Sequence, residues 1–189
     1  MNAANHRWNR MYKAEWRTIL HRKRTALTSW RRKAASASAC RSLADRTVGF
    51  RLVLSYASFG SELDVAALNA QLAKQGALVL PRVEGFDLHL YQVEDPSNQL
   101  KPSRWGILEP DPECCLEVNP IQISIAIVPG LGFNLRQNQR IGYGKGFYDR
   151  LLPKLSLDAP KYGVGFQEQS CPNIPFDEAD FPLSSIYLF

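Results

Sequence analysis

The chain has 189 residues, 45% of them apolar, with 23 Lys or Arg against 18 Asp or Glu, a net charge of +5. That length and apolar share fit one globular domain with a core of its own, and exclude a disordered or collagen-like chain. No apolar run approaches bilayer-spanning length, no secretory apolar region opens the chain, and Cys40, Cys114, Cys115 and Cys171 form neither a C-x-x-C pair nor a zinc spacing; the expectation is a cytoplasmic protein with free thiols and no membrane segment.

The charge is unevenly spread. Residues 1–46 hold twelve of the basic residues and only Glu15 and Asp45 among the acids, a net of +10, leaving eleven against sixteen, a net of −5, for the remainder. A nucleic-acid-binding arm, an Arg-rich presequence, or helices that bring cations to a phosphate-bearing ligand all satisfy this bias. A solvated basic helix face satisfies it too. From Tyr12 to Arg24, with Leu27 beyond, the recurrence of Trp16, Ile19 and Leu20 predicts an amphipathic helix with Lys13, Arg17 and Arg24 on its other faces. A second helix is expected over Trp30–Arg46, capped by Thr28 or Ser29.

"FRLVLSYA" (50–57) reads as a strand ending in the turn-like "SFGSELD". A helix over Asp64–Gln75 closed by Gly76 and a strand "ALVLPRV" complete a strand–helix–strand crossover. Alternation in "DLHLYQV" (87–93) suggests a strand with one solvated face, whereas residues 94–120, rich in Pro, Asn, Asp and Glu, read as a long loop. "ISIAIVPG" (123–130) is continuously apolar and is the expected central strand; "KYGVGF" and the terminal "FPLSSIYLF" supply two more. The whole reads as α/β, a single domain over 1–189 in which a basic helical segment (12–46) packs on a core (50–189). The core is Rossmann-like, three layers with a mainly parallel sheet flanked by helices on both faces.

Ligands of such sheets bind beyond the carboxyl ends of the strands, where "GLGFNLRQNQRIGYGKGFYDR" begins. Gly142, Gly144 and Gly146 remove three β-carbons from one short loop, so that backbone N–H groups can cradle an anion. Arg140 and Lys145 add full charges, and a helix starting near Phe147 adds its positive end. The spacing is neither G-x-G-x-x-G nor a Walker A loop. Asp149 in the same segment is unfavourable beside phosphates unless a hard cation such as Mg²⁺ lies between them, which strengthens the phosphate reading; the alternative is charge compensation at a helix start.

"VPGLGFN…RIGYGKGFYDR" resembles the signature of the 5-formyltetrahydrofolate cyclo-ligase (5,10-methenyltetrahydrofolate synthetase) family, and "KAEWR", "SFGSELD", "LPRV", "WGILEP" and "DFPLSSI" follow in the family's order. The resemblance implies ATP-dependent cyclisation of 5-formyltetrahydrofolate, free or polyglutamylated, by a monomer that binds neither nucleic acid nor membrane. It implies ATP contacts at Lys13, Arg17, Arg140, Ile141, Gly142, Tyr143, Gly144, Lys145, Gly146, Phe147 and Tyr148, and folate contacts at Glu62, Trp105, Phe147 and Tyr148. It also implies magnesium at Asp149 and Asp180, and catalysis by Lys145, Tyr148 and Arg140. Asn134 stands where relatives carry aspartate, and the segment before Arg140 is longer by one residue and lacks their glycine. The alternatives are an ATP-binding homologue without folate activity and, from another class, a basic nucleic-acid-binding module.

Overall fold

The computed structural model describes residues 3–189, with side chains from Tyr12 onward. Helix α1 (Ala3–Thr25) is followed by α2 (Ser29–Arg46), whose first turn is closed by the Thr28 hydroxyl accepting from the Arg31 N–H at 3.1 Å. The face of α1 differs from the expectation. Ile19 is 52% exposed, whereas Lys13 and Arg24 are buried in line with Leu20. Their charges find partners inside, described below, and periodicity alone carries no sign of that.

Strand β1 (Val53–Leu54) is far shorter than the stretch 50–57 that reads as strand. Ser55 still donates its N–H to Val79 at 2.9 Å. Beyond it the ladder ends because Asn69, buried on α3 (Ala66–Lys74), accepts from the Ser55 hydroxyl at 2.6 Å and donates to the Tyr56 carbonyl at 2.9 Å. Helix α3 stops as expected at Gly76 (φ +66), where Gly76 N–H bonds Ala73 and Ala77 N–H bonds Leu72, a Schellman closure. Strands β2 (Leu78–Glu84) and β3 (Asp87–Gln92) form an antiparallel hairpin.

Residues 94–120 are not the plain loop their composition suggests. They contain a hairpin of β4 (Leu100–Pro102) and β5 (Leu108–Pro110), strand β6 (Leu116–Glu117) added to β3, and a 3-10 turn at Pro120–Gln122. Ladders of two or three residues show no readable alternation, and two of the prolines that suggest loop, Pro102 and Pro110, occupy short edge strands where a missing donor is tolerated.

Strand β7 (Ile125–Pro129) is central and buried as expected, and β10 (Lys161–Gly165) and β11 (Ser185–Leu188) continue the sheet. The order is β11-β10-β7-β1-β2-β3-β6, with the first five mutually parallel, β3 reversed, and β6, antiparallel to β3, running with the five. One face, through Val53, Leu78, Leu80, Ile125 and Ile127, packs on Ala35, Ala39 and Leu43 of α2 and on Leu68 and Leu72 of α3. The other, through Leu54, Val79, Ala126 and Val128, packs on Leu151, Leu152 and Leu155, the first of them in α4 (Phe147–Leu151).

From β1 the chain crosses to β2 on one side, and from β7 it crosses to β10 on the other, so the strand order reverses between β1 and β7. The crevice at their carboxyl ends is therefore where a ligand of such a sheet binds. Just beyond β7 a hairpin of β8 (Gly132–Asn134) and β9 (Gln139–Ile141) projects past the sheet edge. Its Phe133 ring is fully buried against three glycines: an added β-carbon would lie 2.8 Å from the ring at Gly130, 3.0 Å at Gly163 and 2.7 Å at Gly165. Helix α1 lays Leu20 over Gly132 and packs on Leu131, Ile141, Cys171 and Ile174.

Candidate active site

The hairpin delivers the glycine loop to the crevice, and guanidinium groups surround it. Arg17 Nε donates to the Gly142 carbonyl at 3.0 Å, and a β-carbon on Gly144 (φ +91) would come within 2.9 Å of the same guanidinium. Arg150 donates to the Lys145 carbonyl at 3.1 Å. Arg140, nearly fully buried, lies against Gly142 and over the Tyr148 ring, 5.4 Å from its centroid, and its Nε is buried without a hydrogen-bond partner among the described residues. With the carbonyls of Gly142 and Lys145 occupied, the loop keeps its N–H groups for a ligand. That is the geometry of an anion cradle. Helix α4 starts at Phe147 as expected but has only five residues, with Gly146 at φ +67 as its N-cap, so side chains and loop N–H groups supply most of the positive field rather than a helix end.

Across the crevice, in the turn after β1, Glu62 is buried with Oε2 accepting from the Phe59 N–H at 3.0 Å and Oε1 from the Tyr143 hydroxyl at 3.0 Å. Burial raises its carboxyl above the ordinary range, opposed by the Phe59 N–H, the Arg24 charge and the Tyr143 hydroxyl. Burial, and then the Glu62 charge, push the Tyr143 phenol up to about 12. Tyr148 is raised for the same two reasons. Both phenols are thus protonated donors at neutral pH. An open groove of about 460 Å³ runs along the α1 flank of the loop, between Arg17, His21 and Arg22 and the facing Leu131 and Tyr143.

The two carboxylates expected to hold magnesium are ion-paired. Arg140 Nη2 donates to Asp149 Oδ1 at 2.9 Å. Lys13 Nζ bonds Asp180 and also Asp177, the latter at 2.9 Å. Among the described residues no cluster of three or more acidic, His or Cys side chains assembles a ready-made metal cage. Each of the two carboxylates still has one oxygen, Asp149 Oδ2 and Asp180 Oδ1, with no hydrogen bond among the described residues, which either can offer to a magnesium ion that arrives with its phosphates, since such an ion takes one or two carboxylates and completes its shell with phosphate and water.

The chain as a whole has relatives among known proteins. Residues 9–188 match the family model for the 5-formyltetrahydrofolate cyclo-ligase family. The chain belongs to that family. It is 32% identical to the 5-formyltetrahydrofolate cyclo-ligase of Haemophilus influenzae over 137 residues, 69% of this chain and 72% of that protein. It is 27% identical to the mouse 5-formyltetrahydrofolate cyclo-ligase over 69% of this chain and 70% of that one. The NMR structure of Aquifex aeolicus 5,10-methenyltetrahydrofolate synthetase superposes with a TM-score of 0.79 and 31% identity, covering 92% of this chain and 88% of the other.

Within this cyclo-ligase fold, contacts join Arg17 to Gly142 and Gly144, Arg140 to Gly142 and Tyr148, and Tyr143 to Glu62, whereas Ile141 is buried against Leu20 and Leu131 and Gly146 lies against Arg150. Phe147 opens α4 with the Arg150 guanidinium 5.5 Å from its ring centroid. Lys145 is exposed. Trp105 is not brought into contact with these residues. It sits 41% exposed in the turn joining β4 and β5, with Arg104 stacked 4.1 Å from its ring centroid. The neighbouring Gly106 lies against Phe59, whose N–H holds Glu62.

The departures at 134–139 have a structural answer. Buried Asn134 accepts from the N–H groups of Arg136 and Gln137 and donates through Nδ2 to Gln137 Oε1 and the Pro172 carbonyl. An aspartate cannot make the last two bonds. Asn138 takes the left-handed position (φ +52) that a glycine would otherwise fill.

Sequence reasoning missed two residues. Gln169 is buried, accepts from the Phe166 N–H at 2.7 Å and donates to the Gly130 carbonyl at 2.7 Å and the Leu131 carbonyl at 3.0 Å, pinning the exit of β7 to the end of β10. Nothing in the spacing of "GFQEQS" marks it. Arg24 holds the other side, and its signal was available: an arginine in register with Lys13, Arg17 and Leu20 on one helical stripe.

Proposed function

We propose that this chain closes 5-formyltetrahydrofolate to 5,10-methenyltetrahydrofolate while converting ATP to ADP and phosphate. The observation that carries the reading is the meeting, at the carboxyl ends of β1 and β7, of a glycine loop flanked by Arg17 and Arg140 with a buried carboxylate, Glu62. The formyl oxygen on N5 is amide-like and leaves poorly. Transfer of the γ-phosphoryl group to that oxygen makes it part of a phosphate, N10 then bonds to the formyl carbon, and the carbon–oxygen bond breaks as phosphate departs and N10 loses its proton. No protein nucleophile is needed, so the chain's work is positioning and charge stabilisation.

In this scheme the N–H groups of residues 142–146, with Arg17, Arg140 and Lys145, hold the phosphates, and Ile141 and Tyr143 frame the nucleotide. Glu62 anchors the folate near its formyl group, Phe147 and Tyr148 flank it, and Trp105 packs on its pterin or aryl ring. Asp149 and Asp180 are the carboxylates for magnesium, which when bound offsets phosphate charge. Lys13 and Arg140 are paired to those carboxylates in the structure, and if the carboxylates held the ion, both cations would be free to face the phosphates. The basic character of α1 then serves a nucleotide rather than nucleic acid. The same reading has a monomer acting in the cytoplasm on free or polyglutamylated folate; no described helix is long and apolar enough to cross a membrane.

The test is direct. Purified protein is mixed with 5-formyltetrahydrofolate and Mg-ATP, and the absorbance of the methenyl product is followed, with ATP omitted or Asp149→Ala as controls. ATP-dependent product, lost in the variant, is the expected result. A folded protein that binds ATP and forms no product would favour a nucleotide-binding homologue instead.

A further inference from the structure

Arg24 is 2% exposed, and the scheme above gives it no task. A guanidinium does not shed its charge on burial, so it needs dedicated acceptors. Its Nε donates to the Ser61 hydroxyl at 3.0 Å, Nη1 points at the Gly130 carbonyl at 3.4 Å, and Nη2 donates to the Tyr143 hydroxyl. That hydroxyl in turn donates to Glu62 Oε1, which lies 3.9 Å from Arg24 Nη1. One side chain on α1 therefore joins the turn after β1, the exit of β7 and the tip of the glycine loop. A lysine ammonium has no such fork to place at three segments.

We infer that Arg24 is a positioning residue of the reaction: through Tyr143 it clamps the glycine loop to the Glu62 turn and so sets the spacing between the phosphate cradle and the folate carboxylate. The inference rests on the reading of Glu62 as a folate contact. The groups facing Glu62 are Arg24 from α1, Tyr143 from the loop, the Phe59 N–H from its own turn, Tyr56 from the exit of β1 and Tyr148 from α4. Only Arg24 among them is cationic. Without it the buried carboxylate loses its counter-charge and stays protonated to higher pH. The loop keeps its contacts with Arg17 and Arg140 and remains able to take a nucleotide.

The experiment compares wild type with Arg24→Met, Arg24→Lys and Tyr143→Phe in thermal unfolding, steady-state kinetics for both substrates across pH, and direct calorimetric binding of 5-formyltetrahydrofolate. Arg24→Met should raise the KM for folate about tenfold or more, shift the KM for Mg-ATP less than about threefold, and move the acid limb of kcat/KM for folate upward. Arg24→Lys should fall between, and Tyr143→Phe should show the same limb shift in smaller measure. A folded Arg24→Met protein with unchanged folate KM and an unmoved acid limb would reduce Arg24 to a core ion pair and overturn the inference. Equal losses for both substrates would do the same. If Arg24→Met does not fold, Arg24→Lys and Tyr143→Phe decide on the same readouts. If wild type makes no product, the reaction fails on its own terms and folate binding decides the role of Arg24. Binding weakened about tenfold in Arg24→Met sustains the clamp; equal affinity, or none in wild type, refutes it.

Discussion

Replacing Phe133 by alanine removes a fully buried ring from the joint between the sheet and the hairpin that carries Arg140, the residue paired with Phe133 across the β8–β9 ladder. Its surroundings cannot collapse easily, because three of its neighbours are glycines with no side chains to move in: Gly130, Gly163 and Gly165. The cost should reach about 3–5 kcal/mol, the range for deleting a buried aromatic, against a total stability of about 5–15 kcal/mol. At about 2–4 °C per kcal/mol for a chain this size, the midpoint should fall by roughly 6–20 °C. Urea unfolding and calorimetry read the loss, and a second substitution makes the reasoning specific. All three close neighbours of an added β-carbon at Gly130 are atoms of the Phe133 ring, at 2.8, 3.1 and 3.4 Å. Gly130→Ala should therefore cost about 1–3 kcal/mol in the native background through overpacking and close to nothing beside Phe133→Ala, a coupling of at least about 1 kcal/mol. Additive costs, or a Phe133→Ala loss below about 1 kcal/mol, would refute the packing argument.

Four further outcomes are expected. Gly144→Ala places a β-carbon at φ +91, within 2.9 Å of the Arg17 guanidinium, and should weaken nucleotide binding by calorimetry about tenfold while leaving the unfolding midpoint within a few degrees. Asn138→Ala should cost about 1 kcal/mol, the penalty of the left-handed region for a residue with a β-carbon, whereas Asn138→Gly should be near neutral in urea unfolding. Arg31→Ala removes two hydrogen bonds to Glu168, at 2.8 and 2.9 Å, and a third to the Phe189 carbonyl; this half-exposed pair should contribute about 1 kcal/mol. Hydrogen bonding to Arg31 holds the Glu168 carboxyl below its ordinary value. That increment is thus present above the unfolded-state pKa and disappears as pH falls through the lower folded value, so the gap between wild type and variant should narrow in acid to what the Phe189 hydrogen bond contributes. Finally, Asn69→Ala should cost about 1–3 kcal/mol in urea unfolding, because it strands the buried Ser55 hydroxyl and the Tyr56 carbonyl.

The architecture was legible along the chain wherever a residue's burial follows from its own neighbours. The apolar run at 125–129, the close of α3 at Gly76 and the cap at Thr28 needed only periodicity and local hydrogen bonding. The loop of three glycines stood out by its absent β-carbons and adjacent cations, although spacing alone reads equally as a flexible turn. The short ladders at 100–102, 108–110 and 132–141 were not legible, because pairs of two or three residues depend on partners elsewhere in the chain. The site divides in the same way. Residue types at 140–149 suggested a phosphate cradle by themselves, whereas Glu62 stood out only through the family resemblance. Which cation faces which anion was decided only by folding: Lys13 with Asp177 and Asp180, Arg140 with Asp149, Arg24 with Tyr143 and Glu62. Local pattern treats a charge on a helix as solvated, and only packing against a distant loop can bury it and supply its counter-ion.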